Sequence, residues 1–453
     1  MALNKPNKIQ IIKYAPPPPD LPTLGKVDPS EVVFIGRTNY VAALEEKKFV
    51  FGINRIDRRR HMYIIGKSGI GKSKLQELMI RQDIAYGHGV CVIDPHGELI
   101  EDILNFIPKE RINDVCIVDP GDVDFPSSFN PLANVDSTFR HQLTQGLIEV
   151  LRKQFGSNWS PRIEHIFRFT VLALLYYPYS TMRGMISMLT NRNYRQKVTE
   201  YIQDDMVKRF WAVEFAEWSE KFDTDAIIPL VNKLGQFLSD PMLRNIFGQK
   251  ENKIDLEKLM NEQKILLINL SKGKIGEENS SFFGAIFLTK IKQAGMARAK
   301  LESKDRHDFY LYIDEFQNII TDTFENILSE ARKYGISLII SHQYVAQLLP
   351  KVQQAVLGHT GSIVLFRVGG DDATKLKPEF SPVFDVKDMI NLGVGEFYIK
   401  MTIDGESYDP FSAETLKVLL PTHPSYRGEV IEASRNKYSV SATEVEKLIS
   451  EEE

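Results

Sequence analysis

The stretch His61-Met62-Tyr63-Ile64-Ile65-Gly66-Lys67-Ser68-Gly69-Ile70-Gly71-Lys72-Ser73 decides how the rest of the chain is read. Its first five residues form a β-type run, and its last eight, Gly66 to Ser73, fit the P-loop octet in full. A helical pattern follows from about Lys72 to Tyr86. Strand, glycine loop and helix in that order are the context a phosphate cradle requires. Glycines let successive N–H groups turn toward phosphate oxygens, and the next helix adds its favourable dipole. Lys72 would neutralise the β and γ phosphates of a nucleotide, and the Ser73 hydroxyl would ligate Mg²⁺.

Such a loop needs an acidic strand to complete the Mg²⁺ shell and aim a water. Phe309-Tyr310-Leu311-Tyr312-Ile313 runs into Asp314-Glu315, two carboxylates at the C-terminal end of a strand, where ligands of open parallel sheets bind. Asp314 would serve the metal, and Glu315 would take the proton of the attacking water. A base beside the metal aspartate points to hydrolysis of a nucleoside triphosphate. Gln343, in Ser341-His342-Gln343 after the next strand, either reads the γ-phosphate or opens a helix. Arg332, at a helix C-terminus, either complements the helix dipole or reaches a neighbouring copy's site as an arginine finger.

Outward from these motifs, β-type runs at Gly89 to Asp94, Asp114 to Asp119, Lys264 to Leu270, Ile336 to Ile340, Ser362 to Arg367 and Glu396 to Met401 alternate with helical patterns. That rhythm predicts an α/β fold with a mostly parallel sheet. From Asp136 to Lys253 the β-type runs stop and apolar residues fall at helical spacing, which predicts an all-α insertion after the third strand. The expected organisation is a flexible proline-rich tail over 1–28 and a short β region over 29–54. A nucleotide-binding domain follows over 55–135 and 254–421, with a helical insertion at 136–253 and a C-terminal tail over 422–453.

The 453 residues carry 56 Lys and Arg against 60 Asp and Glu, a net charge of -4, which excludes a uniformly basic polyanion-coating protein. Charge is instead segregated. Residues 140–197 hold nine basic residues and two acidic ones, with Phe155, Trp159, Tyr176, Tyr177, Tyr179 and Tyr194 interleaved. Those cations either meet phosphates or form a solvated face, and the aromatics read better as core than as base-stacking surfaces. Cys91 and Cys116 sit in apolar runs, so no disulfide framework or zinc site is expected. No apolar stretch approaches the roughly 20 residues that span a bilayer. The acidic end predicts a short helix capped by Ser441, with Val445, Leu448 and Ile449 on one face.

Together, Arg58 to Gly66 leading into the octet, Asp94-Pro95-His96-Gly97, Phe129-Asn130-Pro131-Leu132, the Asp314-Glu315 pair, Arg332 and Gln343 resemble the FtsK/HerA class of hexameric DNA-pumping ATPases. With the helical insertion, the order of motifs is most similar to the TraG/TraD-type coupling proteins of type IV secretion and conjugation. The resemblance implies a RecA-like P-loop NTPase fold, ATP and Mg²⁺ as cofactors, and a homo-oligomeric, hexameric ring that moves DNA. It implies nucleotide and metal roles for Lys72, Ser73, Asp314 and Glu315, a sensor role for Gln343 and a trans-acting finger role for Arg332. Asp94 and His96 hold a motif position without an assigned role. Without a membrane span, the expectation is a cytoplasmic motor recruited to a membrane secretion-channel protein. Two alternatives are a secretion-system export ATPase indifferent to DNA and a nucleotide-switched docking module.

Overall fold

The computed structural model describes residues 12–41, 48–220, 224–321 and 324–451. The chain forms two compact units, the first from Met1–Val90, Asp308–Gln317 and Leu328–Pro424, the second from Cys91–His307, Asn318–Ile327 and Ser425–Glu453. The boundaries expected at 135/136 and 253/254 separate β-type from helical sequence along the chain; the compact units divide elsewhere.

The first unit is built on β1 (Val32–Thr38), β2 (Val50–Asn54), β3 (Met62–Ile65), β7 (Phe309–Ile313), β8 (Ile336–His342), β9 (Ser362–Leu365), β10 (Glu396–Lys400) and β13 (Phe411–Thr415). Between the last two lies a small hairpin of β11 (Thr402–Ile403) and β12 (Glu406–Ser407). The order is β2-β1-β13-β10-β9-β3-β8-β7. The pairs β7·β8, β8·β3 and β3·β9 are parallel, and the strands from β9 to β2 pair antiparallel. Every residue of β3, β7 and β8 is buried, which explains why these strands read as unbroken apolar runs rather than alternating ones. The expected short β region is the β1–β2 hairpin, and β1 extends the sheet through β13.

The segment expected as a flexible tail is packed over its described part. Ala15 and Leu21 are buried, the Ala15 N–H donates to Ser412 Oγ at 2.9 Å, and the Leu24 N–H donates to the Val50 carbonyl at 2.9 Å. Four prolines force extension, and extended chain can lie along strands without losing hydrogen bonds it could not make.

A buried ionic knot ties the helix Lys72–Ala85 to β7. Asp83 accepts from Arg58 at 2.7 and 3.0 Å, from Arg55 at 2.6 Å and from the Tyr312 hydroxyl at 2.5 Å. Burial opposes the charge on Asp83, but Arg58 and Arg55 outweigh it and hold the carboxyl below its usual range.

The second unit takes up the chain within β4 (Gly89–Asp94) and adds β5 (Val115–Val118) and β6 (Ile265–Asn269) in the order β4-β6-β5, with β5 and β6 parallel. Among the described residues, only helices lie between β5 and β6. They begin with Arg140–Phe155 and Pro161–Leu174, and the long helix Glu277–Ala297 follows β6. The stretch expected as a C-terminal tail forms the helices Arg427–Tyr438 and Ala442–Ser450 within this unit. Ser441 caps the last one, accepting from the Glu444 N–H, and Val445 and Ile449 are buried. Leu448 departs from the expectation: it is 51% exposed.

Candidate functional site

The site grows from the C-terminal ends of β3, β7 and β8 in the first unit. At the end of β3 the chain turns into the octet, held by a Lys67 N–H bond to the Arg367 carbonyl at 2.9 Å. Only glycine fits at position 66, where a Cβ would strike Ile70 Cδ1 and Phe366 Cβ. Gly71, at φ 120°, starts the helix in a conformation closed to ordinary residues.

Lys72 folds back over the loop it follows, its Nζ donating to the carbonyls of Gly66 at 2.8 Å and Lys67 at 3.1 Å. Burial lowers the pKa of this amine, while the nearby Glu315 and Asp314 charges work to raise it. Ser73 Oγ donates to Asp314 Oδ2 at 3.2 Å, which brings the expected metal hydroxyl and carboxylate together across 241 residues. Hard oxygen donors suit Mg²⁺, which binds through one or two protein oxygens plus phosphates and waters. Among the described residues no three His, Cys, Asp or Glu side chains cluster as a metal cage, so nucleotide oxygens would complete the shell. Bound there, ATP and Mg²⁺ would supply the scissile phosphoanhydride and the charge neutralisation that its hydrolysis needs.

Three residues hold the acidic pair. Ser341 Oγ donates to Asp314 Oδ1, and the Glu315 N–H donates to the same oxygen at 3.1 Å. Gln343 Nε2 donates to Glu315 Oε1 at 2.8 Å, and Gln317 Nε2 to Glu315 Oε2 at 2.9 Å. Glu315 has φ 44°, a left-handed conformation rare outside glycine, at the turn that ends β7. Gln343 therefore meets the carboxylate expected to serve as base, and it does not open a regular α-helix. Ser341 and Gln317 escaped the sequence reading. The signal was present for Ser341, since residues two apart on a strand face the same side, so a role for Gln343 implied one for Ser341. Between them His342 is fully buried, stacked on Tyr63 at 5.4 Å and edge-on to Phe316 at 5.0 Å. Burial, with the Lys72 charge acting in the same direction, brings its pKa down to about 3.

Arg332 is exposed in a 3₁₀ turn (Ala331–Tyr334) before β8, whereas Gln343 follows β8. Seven strand residues separate them by about 20 Å. Arg332 therefore lies at the opposite edge of the parallel strands from its own P-loop.

In the second unit Asp94 is a cap. Its Oδ1 accepts the His96 N–H at 2.8 Å, and Oδ2 accepts those of Leu99 at 2.9 Å and Ile100 at 3.3 Å, at the start of the helix Glu98–Leu104. His96 lines a cavity of about 460 Å³ with Glu98, Glu101, Asp102 and Lys274. Many of the basic residues over 140–197 have partners inside the unit. Arg152 and Arg168 bond Glu164, Lys153 donates to the Asn318 and Ile320 carbonyls, Arg195 to that of Met188, and Arg140 stacks on Tyr176. Among the aromatics, Phe155 packs on Trp159, and Tyr177 packs on Tyr179, Tyr194 and Tyr201.

No helix among the described residues is long and apolar enough to cross a membrane. No protein with a curated description matches the sequence. The chain is similar in structure to the bacterial conjugative coupling protein TrwB, with a TM-score of 0.61 and 13% identity over 83% of this chain and 89% of that one. The same protein in complex with ADP and Mg²⁺ aligns with a TM-score of 0.61 and 13% identity, over 83% of this chain and 90% of that one. VirB4 of Thermoanaerobacter pseudethanolicus aligns with a TM-score of 0.54 and 14% identity, over 88% of this chain and 97% of that one. These likenesses show the fold, a RecA-like P-loop NTPase with helices inserted in a mostly parallel sheet. Residues 308–375, spanning the acidic pair, Arg332 and Gln343, match the family model described as the TraM recognition site of TraD and TraG. Residues 51–291, more than half of the chain, match the model described as the central domain of helicase HerA, and the protein belongs to that family.

Proposed function

We propose that the protein is an ATP-hydrolysing ring motor that moves DNA, acting as a coupling protein of type IV secretion or conjugation. One observation carries the chemistry: Ser73 meets Asp314 at the mouth of the P-loop while Gln343 and Gln317 aim Glu315 beside it. In this reading Gly66 to Ser73 bind ATP, Ser73 and Asp314 hold Mg²⁺, Glu315 activates water and Gln343 senses the γ-phosphate. Arg332, at the opposite end of β8 from Gln343, completes the site of the next copy, so hydrolysis requires a ring, and a hexamer is the expected form. The match to the TraM recognition model supports docking on a DNA-processing complex, and a separate membrane protein would place the motor at the inner face of the membrane.

The test is phosphate release from ATP with and without single- and double-stranded DNA, run beside a mass measurement of the nucleotide-bound assembly. DNA should stimulate hydrolysis, and the stimulation should fall at high salt as phosphate contacts are screened. Hydrolysis indifferent to DNA would point instead to an export ATPase. Nucleotide binding without phosphate release would leave only a switched docking module.

A further inference from the structure

The turn that enters β10 touches the phosphate cradle. Its Gly395 N–H donates to the Ile70 carbonyl of the octet at 3.1 Å, and the Gly395 carbonyl accepts the Thr415 N–H of β13 at 2.7 Å. Ile70 and Gly71 share one planar trans peptide, in which carbonyl and N–H point to opposite sides. Holding the Ile70 carbonyl on the turn therefore aims the Gly71 N–H away from it, into the loop that cradles phosphates.

One carboxylate shapes this turn. Glu396, the first residue of β10, folds back so that its Oε2 accepts the Gly393 N–H at 2.8 Å and closes the turn 393–396. A Cβ at position 393 would lie 2.6 Å from that oxygen, so glycine there lets the carboxylate in. The other oxygen, Oε1, accepts the Tyr14 hydroxyl at 3.1 Å. Both neighbours of Tyr14 are fastened too. The Lys13 carbonyl accepts the Tyr398 hydroxyl at 2.9 Å, and the Ala15 N–H donates to Ser412 Oγ at 2.9 Å. Glu396 and Tyr398 are two apart on β10, and Ser412 stands opposite Tyr398 on β13, so all three share one face of the sheet. Residues 13–15 thus lie across that face.

Glu396 has no cation of its own among the described residues. Glu414, directly opposite it on β13, takes Arg37 Nε at 2.7 Å and Lys48 Nζ at 3.2 Å. Like charges facing each other disfavour a strand pair. A carboxylate, however, offers two acceptor oxygens and no donor, which is what the Gly393 N–H and the Tyr14 hydroxyl together require. Burial, and then the Glu396 charge, raise the pKa of Tyr14, so its hydroxyl keeps the proton it donates.

We propose that Glu396 is a positioning residue for the phosphate loop and that Tyr14 sets how firmly it acts. The path from Tyr14 through Glu396 and the turn 393–396 to Ile70 couples docking of residues 13–15 to nucleotide affinity, and it rests on the nucleotide site proposed above. Such coupling is reciprocal: bound nucleotide holds the segment down by the same factor as the segment aids the nucleotide.

The test uses the full-length chain and a titration with a fluorescent ATP analogue in the presence of Mg²⁺. Glu396→Ala is expected to weaken binding by roughly tenfold while kcat at saturating ATP stays within about twofold, because Glu315 and the metal pair are untouched. Glu396→Gln, which keeps one acceptor oxygen, should fall between it and the parent. Tyr14→Phe should weaken binding by roughly two- to fivefold and add nothing in the Glu396→Ala background. Reciprocally, the nucleotide should slow hydrogen exchange at the Ala15 N–H in the parent and not in Glu396→Ala.

Parental affinity in Glu396→Ala, even with a lowered urea midpoint, overturns the proposal, since the carboxylate then only builds the turn. Weakened binding in Glu396→Ala with no effect of Tyr14→Phe and no change in Ala15 exchange overturns the coupling. If Glu396→Ala does not fold, Tyr14→Phe, which keeps the ring, and the exchange measurement on the parent decide. A parent that binds ATP without hydrolysing it defeats the motor reading alone, and the affinity series still decides the role of Glu396. A parent that binds no ATP defeats the nucleotide site and this proposal with it.

Discussion

Gln343 Nε2 lies 2.8 Å from Glu315 Oε1, and Gln317 Nε2 lies 2.9 Å from the other oxygen of the same carboxylate. Two amides thus set the direction of the group assigned as base. Glu315→Gln keeps the side chain's size but removes the proton acceptor, and hydrolysis should fall by about 100-fold or more while ATP binding persists. Single-turnover phosphate release beside a nucleotide-binding titration checks this, and turnover near the parent's would remove Glu315 from its role. Gln343→Ala should cost less, on the order of tenfold, because Gln317 still holds one oxygen.

Ser341 Oγ donates to Asp314 Oδ1, while Oδ2 accepts from Ser73 and is the oxygen proposed to serve the metal. Removing the hydroxyl in Ser341→Ala takes one of the two donors from Oδ1, leaving the Glu315 N–H there, and loosens the carboxylate. The Mg²⁺ concentration for half-maximal hydrolysis should rise by roughly 10- to 100-fold, with the rate at saturating Mg²⁺ less affected. An unchanged Mg²⁺ dependence would mean that the hydroxyl does not position the metal ligand.

What was legible in the sequence was contiguous. The octet, the Asp314-Glu315 pair and the buried parallel strands each lie within a few residues, where spacing alone carries the physics. Contacts between distant segments were not legible. Asp83 looks like an ordinary helix-surface acid until Arg55, Arg58 and Tyr312 converge on it. Three consecutive arginines read alike, yet Arg58 pairs with Asp83 and Arg59 with Asp308. The same limit explains the basic stretch over 140–197, whose charge count could not reveal how many cations bond carbonyls or Glu164 within their own unit.

The Asp83 knot yields a stability prediction. Asp83→Asn removes the carboxylate paired with two buried guanidinium groups, and an uncompensated buried charge costs about 3–5 kcal/mol. The denaturant midpoint should fall accordingly. Arg58→Met with Asp83→Leu, which removes the main pair together, should cost less than the two single changes combined. Strict additivity would mean that the pair does not act as a unit.

His61 makes stability depend on acid. Its Nδ1 accepts the Leu338 N–H at 3.1 Å, and its other ring nitrogen meets the Leu328 carbonyl at 2.9 Å, so the neutral ring joins the Arg332 turn region to β8. Burial, chiefly, brings its pKa down from 6.5 to about 4 in the folded chain. As pH falls through 6.5 the unfolded chain takes up this proton and the folded chain does not. The contribution is therefore intact above pH 6.5 and drains away between about 6.5 and 4. At about 1.4 kcal/mol per pH unit, the loss due to His61 between pH 7.5 and 5 is roughly 2 kcal/mol. His342, at about 3, drains over the same interval and serves as an internal comparison. Urea unfolding of the parent and of His61→Gln at the two pH values should show the variant losing about 2 kcal/mol less. Equal losses in both proteins would mean that another group carries the acid sensitivity and that His61 is not held neutral by its two backbone partners.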